Sequence, residues 1–279
     1  MDILVSADWL KANHAAVKIL DASTHLPTSD RDAAAEFAAG RIPGAQRFDI
    51  NKIADPASDL PHMIPAAGQF AMDMGVLGLT ADDQIIIYDD SAIFPAARAW
   101  WMLRLFGHEN VAVLNGGLAA WKAAGGALET GPVAAPASSS YTIRPSCGAQ
   151  VMTMPTLRAM MDVDAAGQIA DARPATRFSG SAPEPRAGLR AGHIPGSCNV
   201  PLSTLIDENG YYKDADAIRT AFVDGGIDPA RPVITSCGSG VTACGLALGL
   251  AMLGNEQVFV YDGSWTEWGS SDAPIETGA

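Results

Sequence analysis

The chain has 279 residues, of which 48% are hydrophobic and 18% charged, and carries a formal net charge of −13. Its length exceeds the roughly 150 residues of one compact domain, so two domains of similar size are predicted, each burying its own core. The negative charge repels nucleic-acid phosphates and anionic lipid at long range, and no apolar stretch approaches the ~20 residues of a membrane span, so neither nucleic acid nor membrane is an expected partner.

At the start, Met1 to Val5 is followed by Asp8 and Trp9, without the basic cluster, long apolar core and small-residue cleavage site of a secretory signal. A cytoplasmic location is expected. Short β-branched runs then alternate with longer helix-compatible stretches: strands are predicted at 18–21, 84–89 and 110–114, and again at 168–171, 232–236 and 257–261. Such alternation predicts an α/β fold with a mainly parallel sheet in each half. Between the halves, 129–146 is rich in Ala, Pro, Ser and Gly, as a solvated linker is. The expected division is a first domain over 1–130, a linker over 131–148 and a second domain over 149–279.

The halves repeat each other in order. Asp21-Ala22 answers Asp171-Ala172, and Gly40-Arg41-Ile42-Pro43-Gly44 answers Gly192-His193-Ile194-Pro195-Gly196, roughly 150 residues apart. Ile85 to Tyr88 answers Val233 to Ser236, and Asn115-Gly116-Gly117 with Trp121 answers Asp262-Gly263-Ser264 with Trp268. This is an internal duplication.

The four cysteines, Cys147, Cys198, Cys237 and Cys244, have neither CxxC spacing nor interleaved histidines, which argues against a zinc site and a disulfide framework. No metal is expected. Cys237 stands apart: Val233 to Ser236 reads as a buried strand, Cys237-Gly238-Ser239-Gly240 as a tight turn, and the residues through Leu253 as a helix. Backbone N–H groups of such a turn and the positive end of the helix stabilise an anion on sulfur, which predicts an acidic thiol. Gly238 and Gly240 are expected as backbone devices. The other three cysteines read as small apolar fillers, with Cys244 a conceivable redox neighbour.

Cys237-Gly238-Ser239-Gly240-Val241-Thr242-Ala243 resembles the active-site loop of the 3-mercaptopyruvate sulfurtransferases, tandem-domain members of the rhodanese family. The resemblance extends over nearly the whole chain, through both Gly-x-Ile-Pro-Gly segments, Trp100-Trp101-Met102 and Tyr261-Asp262-Gly263-Ser264-Trp265. It implies two rhodanese-like domains and a persulfide carried on Cys237, held in a loop formed by Gly238, Ser239, Gly240, Val241 and Thr242. No metal or organic cofactor is implied. Because the repeat aligns Cys237 with Asp89, the first domain is expected to be catalytically silent.

By the same resemblance, Arg177 and Arg186, which end the segment 177–186, grip the carboxylate and carbonyl of the donor. Arginine suits that task through bidentate, charge-assisted bonds. Arg173 and Arg190 are expected to be surface charges. His62, in Leu60-Pro61-His62-Met63, matches the histidine that relays the substrate proton with the loop serine, here Ser239. The position matching the acidic partner of that histidine is Asn51, which lacks a charge, and Asp55 and Asp59 read as solvated turn formers.

The implied reaction takes sulfur from 3-mercaptopyruvate to a thiol acceptor, such as a thioredoxin-like protein or small thiol, or to cyanide. Thiosulfate is the alternative donor, although the neutral Gly238 and Ser239 stand where thiosulfate enzymes carry basic residues. Rhodanese-like phosphatases require an arginine at the position of Ala243, which speaks against that chemistry. A non-catalytic redox or binding module is disfavoured because Cys237 and its loop are intact.

Overall fold

The apolar runs at 85–88 and 233–236 are buried along their whole length, the pattern of central strands in a parallel sheet covered by helices. In the computed structural model, which describes residues 1–163 and 167–278, the chain divides into two units. One comprises 1–56, 64–147 and 209–211; the other comprises 57–63, 148–208 and 212–279.

In the first unit, strands β1 (Leu4–Val5), β2 (Lys18–Asp21), β3 (Gln46–Arg47), β4 (Ile85–Tyr88) and β5 (Val111–Leu114) form a sheet of order β1-β5-β4-β2-β3. Every pairing in it is parallel. Helices α1 (Ala7–Asn13), α2 (Ala33–Ala39), α3 (Ala67–Val76), α4 (Pro95–Leu105) and α5 (Gly117–Ala123) flank it. Leu10, Ile86, Leu114 and Trp121 join one core cluster.

The second unit repeats the plan with β6 (Ala149–Met152), β7 (Gln168–Asp171), β8 (Cys198–Asn199), β9 (Val233–Ser236) and β10 (Val258–Tyr261). Their order is β6-β10-β9-β7-β8, again all parallel. Its helices are α6 (Met154–Asp162), α7 (Ala175–Phe178), α8 (Ala215–Asp224), α9 (Val241–Met252) and α10 (Ser264–Ser270). Helix α9 is apolar on nearly every side and correspondingly buried. No helix among the described residues is long and apolar enough to cross a membrane.

The repeated Gly-x-Ile-Pro-Gly segments have one structural job in both units. Ile42 and Ile194 are buried, and the residues before them, Arg41 and His193, form antiparallel bridges with Glu129 and Glu276. The Arg41 guanidinium also pairs with the Glu129 carboxylate, and His193 lies 3.8 Å from that of Glu276.

The expected linker, 131–148, carries no helix or strand, and its residues 131–147 belong to the first unit and are fastened to it. Arg41 donates to the Gly131 carbonyl at 2.7 Å, and Ser139 N–H to that of Gly75 at 3.0 Å. Tyr141 is buried edge-on against Phe70, with its hydroxyl 2.9 Å from His108 Nδ1. One aromatic anchor outweighs the polar composition around it.

Asp89 directly follows β4, at the position the repeat matches to Cys237. It is buried, and its carboxylate accepts from Ala96 N–H at 2.8 Å. Burial, aided by Asp21 and Asp90, pushes its pKa up to about 7. The folded value lies above the unfolded one, so its contribution to stability is complete below about pH 4 and is lost as pH rises through about 7. Asp89→Asn keeps an acceptor for Ala96 but cannot ionise. It is expected to stabilise the protein at pH 8, by up to about 4 kcal/mol, and little at pH 4. Urea unfolding of both proteins at the two pH values checks this; an equal difference at each would contradict it.

Candidate active site

In the second sheet the chain leaves β7 toward β8 on one side and returns to β9 on the other. The carboxyl ends of β7 and β9 therefore flank the switch point, the place where open parallel sheets ordinarily bind ligands. Residues 237–240 follow β9 directly and lead into α9, and the arginine segment follows β7.

Cys237 is 1% exposed, and Ser239 is also buried. Gly240 takes φ +77° at the entrance to α9, where a side chain would be strained. Val241 opens the helix and is buried, with Thr242 half-buried beside it. The start of α10 ties the loop down. Trp265 N–H donates to the Cys237 carbonyl at 2.9 Å, and Thr266 donates to the Gly238 carbonyl through its N–H at 2.9 Å and its hydroxyl at 2.6 Å. Cys237 N–H and Gly240 N–H both donate to Ser264 Oγ, at 3.2 and 3.1 Å. These two turn amides are thus engaged by Ser264 and not by the sulfur, because a buried N–H takes the fixed acceptor next to it.

Arg177 sits in the last turn of α7, half-buried, with Nε 3.2 Å from Glu184 Oε2 and Nη2 on the same oxygen. A Cβ at Gly238 would lie 3.0 Å from Arg177 Nη2, which sets this guanidinium against the loop. Burial foremost holds the Arg186 guanidinium below its ordinary value, against the attraction of Cys237 and with the repulsion of Arg177. The two arginines and the sulfur therefore share one neighbourhood.

Arg173 corrects the expectation of a surface charge. Fully buried, it places Nε and Nη2 on Asp171 at 2.7–3.1 Å, Nη1 on Glu184 Oε1 at 2.9 Å and Nη2 on the Gly192 carbonyl at 2.9 Å. Its guanidinium lies over the Trp265 ring, 4.5 Å from the centroid. Burial acts against its charge, but Asp171 and Glu184 outweigh that and raise its pKa. Arg190 is likewise structural, donating to the carbonyls of Trp268, Gly269 and Ala273 at 2.8–3.1 Å. Isolated arginines avoid the interior, but carboxylates two and eleven residues away on Arg173, and carbonyls 78 to 83 residues away on Arg190, remove that objection.

The Rhodanese-like domain family matches residues 6–124 and 153–271. The chain belongs to the rhodanese family. It is 44% identical to 3-mercaptopyruvate sulfurtransferase of Escherichia coli K12, over 98% of this chain and 97% of that protein. It is 40% identical to mitochondrial thiosulfate/3-mercaptopyruvate sulfurtransferase 1 of Arabidopsis thaliana, over 98% and 78% of the two chains. The crystal structure of SseA from Escherichia coli, a 3-mercaptopyruvate sulfotransferase, superposes with a TM-score of 0.84 at 40% identity, covering 95% of this chain and 99% of that one.

In this rhodanese the segment 57–63, which carries His62, belongs to the same unit as Cys237 although it lies in the other half of the sequence. His62 is half-buried with φ +63°, a left-handed backbone that histidine tolerates better than most residues. The Asn51 amide donates to Thr24 Oγ1 at 3.2 Å and Asp49 Oδ1 at 3.3 Å. None of the four cysteines of the rhodanese is in a disulfide; Cys147 and Cys198 are half-buried, and Cys244 is buried, its thiol donating to the Gly240 carbonyl at 3.2 Å. Burial pushes the Cys147 thiol up, away from the reactive thiolate.

Sequence reasoning passed over Glu184, Ser264 and Thr266. Glu184 lies inside the arginine segment, and the other two within or beside the Tyr261 to Trp265 motif. Nothing local distinguishes their hydrogen bonds from those of solvated residues.

Proposed function

We propose that this rhodanese transfers sulfane sulfur from 3-mercaptopyruvate through a Cys237 persulfide to a thiol or to cyanide, releasing pyruvate. The observation that carries the reading is the single cysteine at the β9–α9 turn with Arg177 and Arg186 in its electrostatic neighbourhood. Similarity to enzymes named for this donor supports it.

Arg177 and Arg186 hold the donor's carboxylate and carbonyl, which sets its sulfur against Cys237. Gly238, Gly240, Val241 and Thr242 shape the wall around that sulfur. The Cys237 thiolate attacks the donor sulfur, the carbon–sulfur bond breaks, and its electron pair leaves on carbon as the enolate of pyruvate. Ser239 and His62 pass the donor's thiol proton toward that enolate. An acceptor thiolate or cyanide then attacks the outer sulfur and Cys237 departs as thiolate. The first half of the chain, with Asp89 in place of the cysteine, takes no covalent part.

Intact-mass measurement after addition of 3-mercaptopyruvate tests this: a gain of about 32 Da located on Cys237, with release of pyruvate, is expected. Much faster turnover with thiosulfate would overturn the donor assignment. Replacing Arg177 or Arg186 with Gln is expected to lower kcat/KM for 3-mercaptopyruvate roughly 10- to 100-fold, the worth of a charge-assisted bond. Unchanged values in both variants would remove the arginines from the site.

A further inference from the structure

Ser264 is wholly buried and has φ +49°, a left-handed conformation that disfavours side chains. The duplicated half supplies the residue such a backbone ordinarily takes. At the matching position stands Gly117, with φ +56°. The backbone bond that follows is the same in both halves: Leu118 N–H to the Asp89 carbonyl at 2.9 Å, and Trp265 N–H to the Cys237 carbonyl at 2.9 Å. One half therefore makes this turn with glycine, and the half that carries the cysteine makes it with serine, against the backbone preference.

The hydroxyl explains the difference. It has one proton and two acceptor positions, and all three are engaged: Oγ accepts from Cys237 N–H and Gly240 N–H and donates to the Tyr261 carbonyl at 2.8 Å. One atom thus fastens both ends of the turn that holds the sulfur to the end of β10. In the first half no such atom fits, since a Cβ at Gly117 would lie 2.3 Å from the Asp89 carbonyl oxygen. Backbone strain retained at one point in a fold marks a place where the geometry is used.

We propose that Ser264 is a positioning residue for sulfur transfer, its hydroxyl fixing the loop that aims Cys237. This rests on the reading of Cys237 as the persulfide carrier. Ser264 touches neither Arg177 nor Arg186 through any of its three bonds, so its loss should slow the chemical step and spare donor binding.

The test uses the full-length protein with Ser264→Gly, Ser264→Ala and Ser264→Thr. Single-turnover pyruvate release is measured with 3-mercaptopyruvate and normalised to the fraction of Cys237 that gains sulfur by intact mass. Expected is a loss of roughly ten- to hundredfold in the rate per active site for the Gly and Ala variants, with KM changed less than about threefold. The Thr variant, which restores the hydroxyl on a strained β-branched residue, recovers part of the rate. Should the Ala variant fail to fold, the Gly variant decides, because its backbone is unstrained. Wild-type rates per active site in the Gly variant, or a loss confined to KM, overturn the proposal. Absence of sulfur on Cys237 in the unaltered protein overturns it together with the persulfide reading.

Discussion

Cys237→Ser is expected to abolish sulfur transfer, lowering kcat on the order of 10⁴-fold or more, while the protein unfolds at nearly the same urea concentration. The two halves of that expectation have separate causes. Serine is close to cysteine in volume, and the bonds that fix the residue run through its N–H and carbonyl to Ser264 and Trp265, so the turn does not need the sulfur. A hydroxyl at that position cannot accept a sulfur atom and release it again. Mass spectrometry of the variant after 3-mercaptopyruvate should show no gain. A stable gain on Cys147, Cys198 or Cys244 accompanied by turnover would move the carrier to another thiol.

Arg173→Met is expected to destabilise the protein by about 3–5 kcal/mol, because it leaves Asp171 with a buried, uncompensated charge and strips one of two partners from Glu184. Adding Asp171→Asn, which removes the orphaned charge, should recover part of that loss. Urea unfolding of the single and double variants measures both; a single-variant loss below about 1 kcal/mol would mean that the network contributes little. Because Glu184 also holds Arg177, the single variant should raise KM for 3-mercaptopyruvate as well.

The network gives the site a definite construction. Asp171 ends β7, Arg173 stacks on Trp265 of α10, and Glu184 connects Arg173 to Arg177. The α10 residues Ser264, Trp265 and Thr266 in turn grip the Cys237 loop. The proposed donor-binding arginine and the proposed nucleophile are thus held by one continuous set of buried contacts.

The central strands were legible in the sequence to within a residue, since β2, β4, β5, β7, β9 and β10 are apolar runs bounded by polar turns. The two-residue strands β1, β3 and β8, and the edge strand β6, were not. Edge strands are short and lack a continuous apolar pattern, and only a neighbour in space defines them. Tyr141 went unrecognised as an anchor for a related reason, because its surroundings are Ala-, Pro- and Ser-rich and the ring finds its pocket in residues 70 and 108.

By itself the sequence determined the duplication, the parallel α/β plan and the candidacy of Cys237, because periodicity, repeated landmarks and a strand–glycine turn–helix string are properties of neighbours along the chain. Only the tertiary structure decided which arginines are buried, which loop amides are already engaged, and that the hydroxyl of Ser264 holds the turn. Those facts depend on hydrogen-bond partners that folding brings from far along the chain: Ser264 lies 27 residues from Cys237, and Arg190 donates to carbonyls 78 to 83 residues away. Whether a buried polar group is costly or stabilising depends on such partners.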